Sequence, residues 1–182
     1  DMYPEPVGTK TENAKNFVSH LGGSSANISV ALKKLECDSN IVTCISDDAL
    51  GKLCINELKK YNIDISHVRL VKEETRLSLA IVESTLLNHQ SIIYRNKASD
   101  LLMNTEDIRK VNFEFFSCIV ITGTALALEP SRSAVFFAIR KAKDNNIPVI
   151  LDIDYRPYTW KSAEEASDIY LKAANNCDII VG

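Results

Sequence analysis

The sequence is poor in the residues that usually announce a reaction. Only six Gly occur in 182 residues, and none belongs to a G-x-G-x-x-G run or a Gly-Lys-Ser/Thr loop. The first absence weakens a dinucleotide-binding reading and the second removes a P-loop. Cys37, Cys44, Cys54, Cys118 and Cys177 make no C-x-x-C pair and have no His at ligand spacing. Scattered thiols in odd number, mostly inside apolar runs, read as buried and free in a reducing cytoplasm, with no metal site and no disulfide framework. His20, His67 and His89 lie apart, so a hydrolase triad has little support. No run approaches the ~20 apolar residues of a membrane span, and no basic-then-apolar leader opens the chain. An excess of one charge is missing too: 21 Lys+Arg stand against 24 Asp+Glu, a net −3. That argues against nucleic acid as a partner, because phosphate backbones demand a basic face. A small anion, by contrast, needs only one or two well-placed cations.

What is present is a core. The apolar runs at 117–123 (SCIVITG), 147–154 (IPVILDID) and 177–182 are rich in Ile and Val and read as strands buried on both faces. Over 130–146, Val135, Ala138, Ile139 and Ala142 form one helical stripe, with Pro130 in its first turn. Over 162–175, the run Ser162-Ala163-Glu164-Glu165 fits a capping box ahead of Ala166, Ile169, Tyr170 and Ala173. Strand, helix, strand, helix, strand implies right-handed crossovers, hence a parallel sheet covered by helices. Ligands of such sheets lie beyond the carboxyl ends of the strands. A chain that stops on a buried strand is expected to be part of something longer.

The first half has the same rhythm with one interruption. A helix is expected over 25–35 with Ile28, Ala31, Leu32 and Leu35 inward, then a strand over 40–45. A second helix follows over 48–61, with Leu50, Cys54, Leu58 and Tyr61 in register and Asp47-Asp48 as its cap. The segments 75–84 and 90–95 are extended and joined by a loop carrying Asn88 and His89. That is a β-hairpin, which a parallel sheet cannot supply internally. A small β lid over about 68–98 is therefore expected to project from an α/β body.

Four segments carry candidate chemistry. In LGGSSANIS (21–29), Gly22 and Gly23 lead straight into a helix start, where free N–H groups and the dipole suit a polar or anionic ligand and Asn27 adds an amide. An ordinary glycine turn with a serine cap explains those residues equally well. In DIDYRPYTW (152–160), Asp152, Asp154 and Arg156 follow a central strand, at the ligand crevice. Arg156 suits a carboxylate or phosphate, though it can also merely pair with a turn-capping Asp. Arg95 ends the lid hairpin, where it can fold over a ligand, although a loop arginine is more often just solvated. In TGTALA (122–127), Gly123 permits close approach by a ligand or simply a tight turn.

Taken together, LGGSSANIS with SDDALGK (46–52), DMYPEPVG (1–8), YRNKASDL (94–101), TGTALALEPSRSAVF (122–136) and LDIDYRPYTW (151–160) resemble the ribokinase-like (PfkB) carbohydrate kinases. The likeness runs through the whole chain and is strongest to the 5-dehydro-2-deoxygluconokinase branch of inositol breakdown. Kinases of 2-keto-3-deoxygluconate and of fructose are near relatives of that branch. The resemblance implies a doubly wound, mostly parallel sheet with helices on both faces and a β lid over the sugar site. It implies ATP and Mg²⁺ as cofactors and a sugar acid as acceptor. By motif, Asp1, Gly22, Gly23, Asn27, Arg95 and Arg156 match substrate-binding positions. No catalytic residue is matched, because the family's Gly-Ala-Gly-Asp base segment and most of its ATP pocket are expected beyond Gly182. Lid sheets of the family often pair between subunits, which makes the hairpin edge the expected homodimer contact. Glu36 stands where the family commonly has Gly and implies a different helix exit, while Ser46, also a common Gly position, is expected to be tolerated. Alternatives that stay open are a 2-keto-3-deoxygluconate kinase, a fructokinase, and a non-catalytic sugar-binding module.

Overall fold

The computed structural model describes residues 1–72 and 74–182. It opens on a hairpin that the periodicity does not announce: Met2–Glu5 (β1) pairs antiparallel with Asn16–Ser19 (β2). The α1 helix, Ser24–Lys34, follows, then Thr43–Ser46 (β3), Ala49–Lys60 (α2) and Val68–Val71 (β4). The β4 strand pairs parallel with β3. Residues 68–71 therefore belong to the body rather than to the lid segment assigned to them. A four-residue strand with Arg69 in it shows no alternation to read; it is held from outside, by Arg69 reaching Asp107 at 2.7 Å.

The lid is larger than a hairpin. Leu79–Val82 (β5) and Ser91–Tyr94 (β6) pair antiparallel, and β1 joins β5 in parallel, giving the sheet order β2-β1-β5-β6. Next comes the short Thr105–Arg109 helix (α3), closed by an Asn104/Asp107 capping box. The remaining elements are Ile119–Thr122 (β7), Ser131–Asp144 (α4), Val149–Asp152 (β8), Ala163–Ala174 (α5) and Ile179–Val181 (β9). β7, β8 and β9 are parallel neighbours in that order, as the crossover pattern requires.

The main core lies in this second half. Leu126, Ala134, Ala142, Val149, Leu151 and Ala173 are fully buried in one cluster. The whole expected α4 stripe is buried, and α5 buries Ala166, Tyr170 and Ala173. Pro130 is the residue before α4 rather than inside its first turn.

The early helices differ from their patterns. α1 buries Ala26 and Ser29 and leaves Leu35 74% exposed, so its inward face is not the Ile28–Leu35 stripe. α1 meets β7 through the small Ser25, and Ala26 and Val30 pack on the early core cluster, while Ile28 and Leu32 are only half-buried. In α2, Leu58 and Cys54 face inward as expected, whereas Leu50 and Tyr61 are exposed. Asp48 caps α2 by accepting from the Gly51 N–H at 2.8 Å.

Glu36 does not alter the helix exit. It takes a left-handed φ of 61°, and the Cys37 N–H bonds the Leu32 carbonyl at 2.9 Å, the same closure that Asn62 and Asn146 give α2 and α4. Ser46 is tolerated in the sense of fitting, buried at 2% exposure, but its hydroxyl finds no partner among the described residues. All five thiols are free, yet Cys37 and Cys118 are exposed, which corrects the expectation of burial for those two. Burial, followed by the nearby Asp107 carboxylate, pushes the Cys44 thiol up to about 12.

Candidate functional site

All the candidate residues but Asn27 lie around the ends of β7 and β8 and the start of α1, next to the β2-β1-β5-β6 sheet. Asp1 exchanges backbone hydrogen bonds with His20 in both directions, at 2.9 Å each, which extends the β1–β2 ladder by one pair. Its carboxylate lies directly on Gly22: a side-chain carbon there would fall within 2.2 Å of it. Gly23 has φ 91° and is the residue from which α1 springs, without a side-chain cap on the first N–H groups. So Gly22 serves close approach and Gly23 serves the turn.

Behind that start, Ser24 donates to the Asp154 carboxylate in a short hydrogen bond, and Ser25 and Thr122 hydroxyls meet at 3.0 Å. Asp154 has φ 38°, in the left-handed region that short polar residues tolerate best. Its other oxygen pairs with the Arg156 guanidinium at 2.6 Å. Arg156 thus does pair with the turn aspartate, while half of its side chain still faces solvent.

Arg95 is not a solvated loop charge. Only 14% of its side chain is exposed. One terminal nitrogen donates to the Thr124 carbonyl at 3.1 Å and the other to Asp100 at 2.6 Å. Asp100 is held in turn by the Ser78 hydroxyl at 2.8 Å. Through this arginine the end of β6 is fastened to the exit of β7.

The two arginines share one neighbour. Burial raises the Tyr158 phenol above its ordinary value, and the charges of Arg156 and Arg95 both act on it in the opposite direction. Tyr158 and Arg95 also line one open cleft of about 420 Å³, with Ile93, Leu101 and Leu128 as its apolar walls. Asn27 stands apart from this linkage, exposed one turn into α1. Gly123 turns out to serve packing. A side chain there would meet the Ile153 carbonyl at 2.1 Å, so the lack of one lets two backbone segments close together.

Sequence reasoning missed Ser24, Asp100 and Tyr158. Ser24 was legible as a member of the glycine loop, but Asp100 carries no periodic relation to Arg95. Among the described residues no three His, Cys, Asp or Glu side chains gather where a metal ion could be held. No helix among them is long and apolar enough to cross a membrane.

A model of the pfkB family carbohydrate kinases matches residues 2–182. The chain belongs to this family. Among curated pfkB-type relatives, the 5-dehydro-2-deoxygluconokinase of Geobacillus thermodenitrificans (strain NG80-2) is 36% identical over 183 residues, covering 100% of this chain and 54% of the relative. The chain therefore spans about half the length of the curated relatives it matches. Among solved structures, an uncharacterized sugar kinase from Pyrococcus horikoshii in complex with ATP has a TM-score of 0.86 at 22% identity, covering 98% of this chain and 58% of that one. A 2-dehydro-3-deoxygluconokinase from Thermotoga maritima has a TM-score of 0.87 at 18% identity, covering 98% of this chain and 55% of that one. Identities this low speak to the fold, which is mixed α/β and ribokinase-like.

Proposed function

We propose that this pfkB-family chain supplies the acceptor-binding half of an ATP-dependent sugar-acid kinase, with 5-dehydro-2-deoxygluconate, phosphorylated at its 6-position, as the acceptor. The observation that carries the reading is the pair Arg95 and Arg156. Each is paired with a carboxylate, Arg95 lines one cleft with Tyr158, and Tyr158 lies two positions after Arg156, at strand ends beside the glycine loop. A sugar's hydroxyls alone do not call for two guanidinium groups in one place; an acid end does. The curated relatives named for this substrate support the choice.

In this reading Asp1 and the uncapped start of α1 take the hydroxyl-bearing part of the sugar. Arg95 and Arg156 take its carboxylate, and the lid strands exclude water from above. ATP, supported by the ATP complex of the Pyrococcus kinase, supplies the phosphoryl group, and Mg²⁺ belongs to the same proposal. Among the described residues no three His, Cys, Asp or Glu side chains gather to hold the ion. The Gly-Ala-Gly-Asp segment does not occur in the 182 residues. The chain taken alone is accordingly expected to bind the acid without consuming ATP.

A homodimer through the lid is part of the proposal. By register Phe17, Ile92 and Tyr94 share one face of that sheet, and all three are exposed.

Calorimetric titration of the chain with 5-dehydro-2-deoxygluconate, 2-keto-3-deoxygluconate and fructose tests the substrate class. The acids are expected to bind at least about tenfold more tightly than fructose, the worth of one charge-assisted pair. Equal affinity for fructose would favour a fructokinase and end the sugar-acid reading.

A further inference from the structure

The geometry points to Asp154 as a positioning residue that sets the selectivity of the acid end, by latching Arg156 to the start of α1 and cancelling its charge. The inference rests on the sugar-acid reading for its ligand, but the latch itself stands on contacts alone. Asp154 has two oxygens and two partners on different elements: Arg156 at 2.6 Å, and Ser24, the first residue of α1. Its side chain is 9% exposed while that of Arg156 is 49% exposed. The buried partner therefore dictates where the exposed one points. Beside that ion pair, the one hydrogen bond of the Arg156 guanidinium among the described residues is a long one, 3.4 Å, to the Tyr155 carbonyl. Without Asp154 a half-exposed arginine keeps its full rotamer freedom, which binding must then remove.

Asp154 is also placed at a backbone cost. Its φ of 38° is left-handed, a conformation that persists in a non-glycine residue only when the surroundings hold it. The second arginine is treated in the same way, since Arg95 pairs with Asp100, and Asp100 is bonded by Ser78. Each guanidinium thus comes with one carboxylate and one serine. The consequence is chemical. Two arginines balanced by two aspartates offer oriented N–H donors with little net positive charge. Such a site picks out a planar carboxylate by geometry and holds small inorganic anions poorly, whereas unbalanced arginines attract any anion.

Asp154→Asn tests this cleanly. Asn accepts a left-handed φ as readily as Asp and has the same shape, so the variant removes the charge and keeps the loop. Two readouts are taken on the ¹⁵N-labelled chain. In the first, the heteronuclear NOE of the Arg156 Nε–H is expected to match that of Arg95 in the parent chain and to fall to that of a free surface arginine in D154N. Ser24→Ala should give an intermediate fall, because it cuts only one of the two anchors. In the second, the ratio of affinity for 2-keto-3-deoxygluconate to affinity for inorganic phosphate is expected to drop about tenfold in D154N. Lost ordering weakens the directional pairing with the carboxylate, and lost negative charge favours the more highly charged phosphate over the singly charged acid, so both effects lower the ratio. An unchanged NOE in D154N overturns the latch whether or not any sugar acid binds. A parent chain with an ordered Arg156 that binds no sugar acid leaves the latch standing, and removes the proposed substrate instead. An unchanged ratio alongside a mobile Arg156 overturns the selectivity role.

Discussion

The half of the molecule built from β7 to β9 and the lid are held together by opposite means. In the first, α4 and α5 press Ala134, Ala142 and Ala173 onto Val149 and Leu151, all fully buried. In the lid, every residue of β5 is only half-buried, and beside the β1–β5 pairing the two hairpins meet at a polar point. That point is Glu83, 3% exposed. It accepts from the Thr11 N–H at 2.8 Å, the Gln90 N–H at 3.1 Å and Lys10 Nζ at 3.0 Å. A core made of apolar area resists pH and salt and fails when volume is removed. A sheet pinned by one carboxylate tolerates lost volume and fails when its charge is removed. A binding lid drawn from the less stable end of a protein can open without unfolding the rest.

The largest effect should come from removing volume in the core. Leu151→Ala is expected to cost about 2–5 kcal/mol in urea unfolding, whereas Ile92→Ala, at a position already 36% exposed on the lid, should cost under about 1 kcal/mol. Similar losses at the two sites would break the contrast. Next comes charge. The Thr11 N–H and then the Lys10 ammonium hold the Glu83 carboxyl down to about 2 from its ordinary 4.5. Because the folded state binds this proton less readily than the unfolded chain, the stabilisation is complete above about pH 4.5. It is lost as pH falls toward about 2. Protection of the Thr11 and Gln90 amides against hydrogen exchange should therefore fall through that window, and Glu83→Gln should show the lower protection at neutral pH. Exchange in β7 and β8 should not follow. The smallest effect tests the early helices against α4. Glu36→Gly should stabilise by about 0.5–1 kcal/mol, since a bulky residue sits where φ is left-handed. Asn146→Gly should change stability by no more than a few tenths, because Asn already suits that conformation. Equal gains would mean that the two exits carry the same strain.

What could be read in advance follows the same division. The stripe of Val135, Ala138, Ile139 and Ala142 was legible because a helix packed squarely on a sheet keeps one broad apolar face. The face of α1 was not, because the residues it buries are Ala26 and Ser29, small side chains that an apolar stripe does not pick out. β1 and β2 were missed because half-exposed strands of four residues have too little alternation to count. Of the site, the glycine loop and both arginines were visible as local oddities in otherwise well-patterned surroundings. Asp100 and Ser78, which hold Arg95, were not.

By itself the sequence determined the order of strands and helices in the second half, the presence of a β-hairpin, and the glycines and arginines on which the proposed function rests. These are local properties, fixed by periodicity, turn chemistry and residue type. Only the tertiary structure decided that the lid has four strands, that 68–71 belongs to the body, and that Arg95 is buried against Thr124 and Asp100. It also decided that Ser24 meets Asp154 across 130 positions of chain. Hydrogen bonds between residues so far apart leave no spacing to read; they exist because the packing of α1 on β7 brings two chain segments to the same rim.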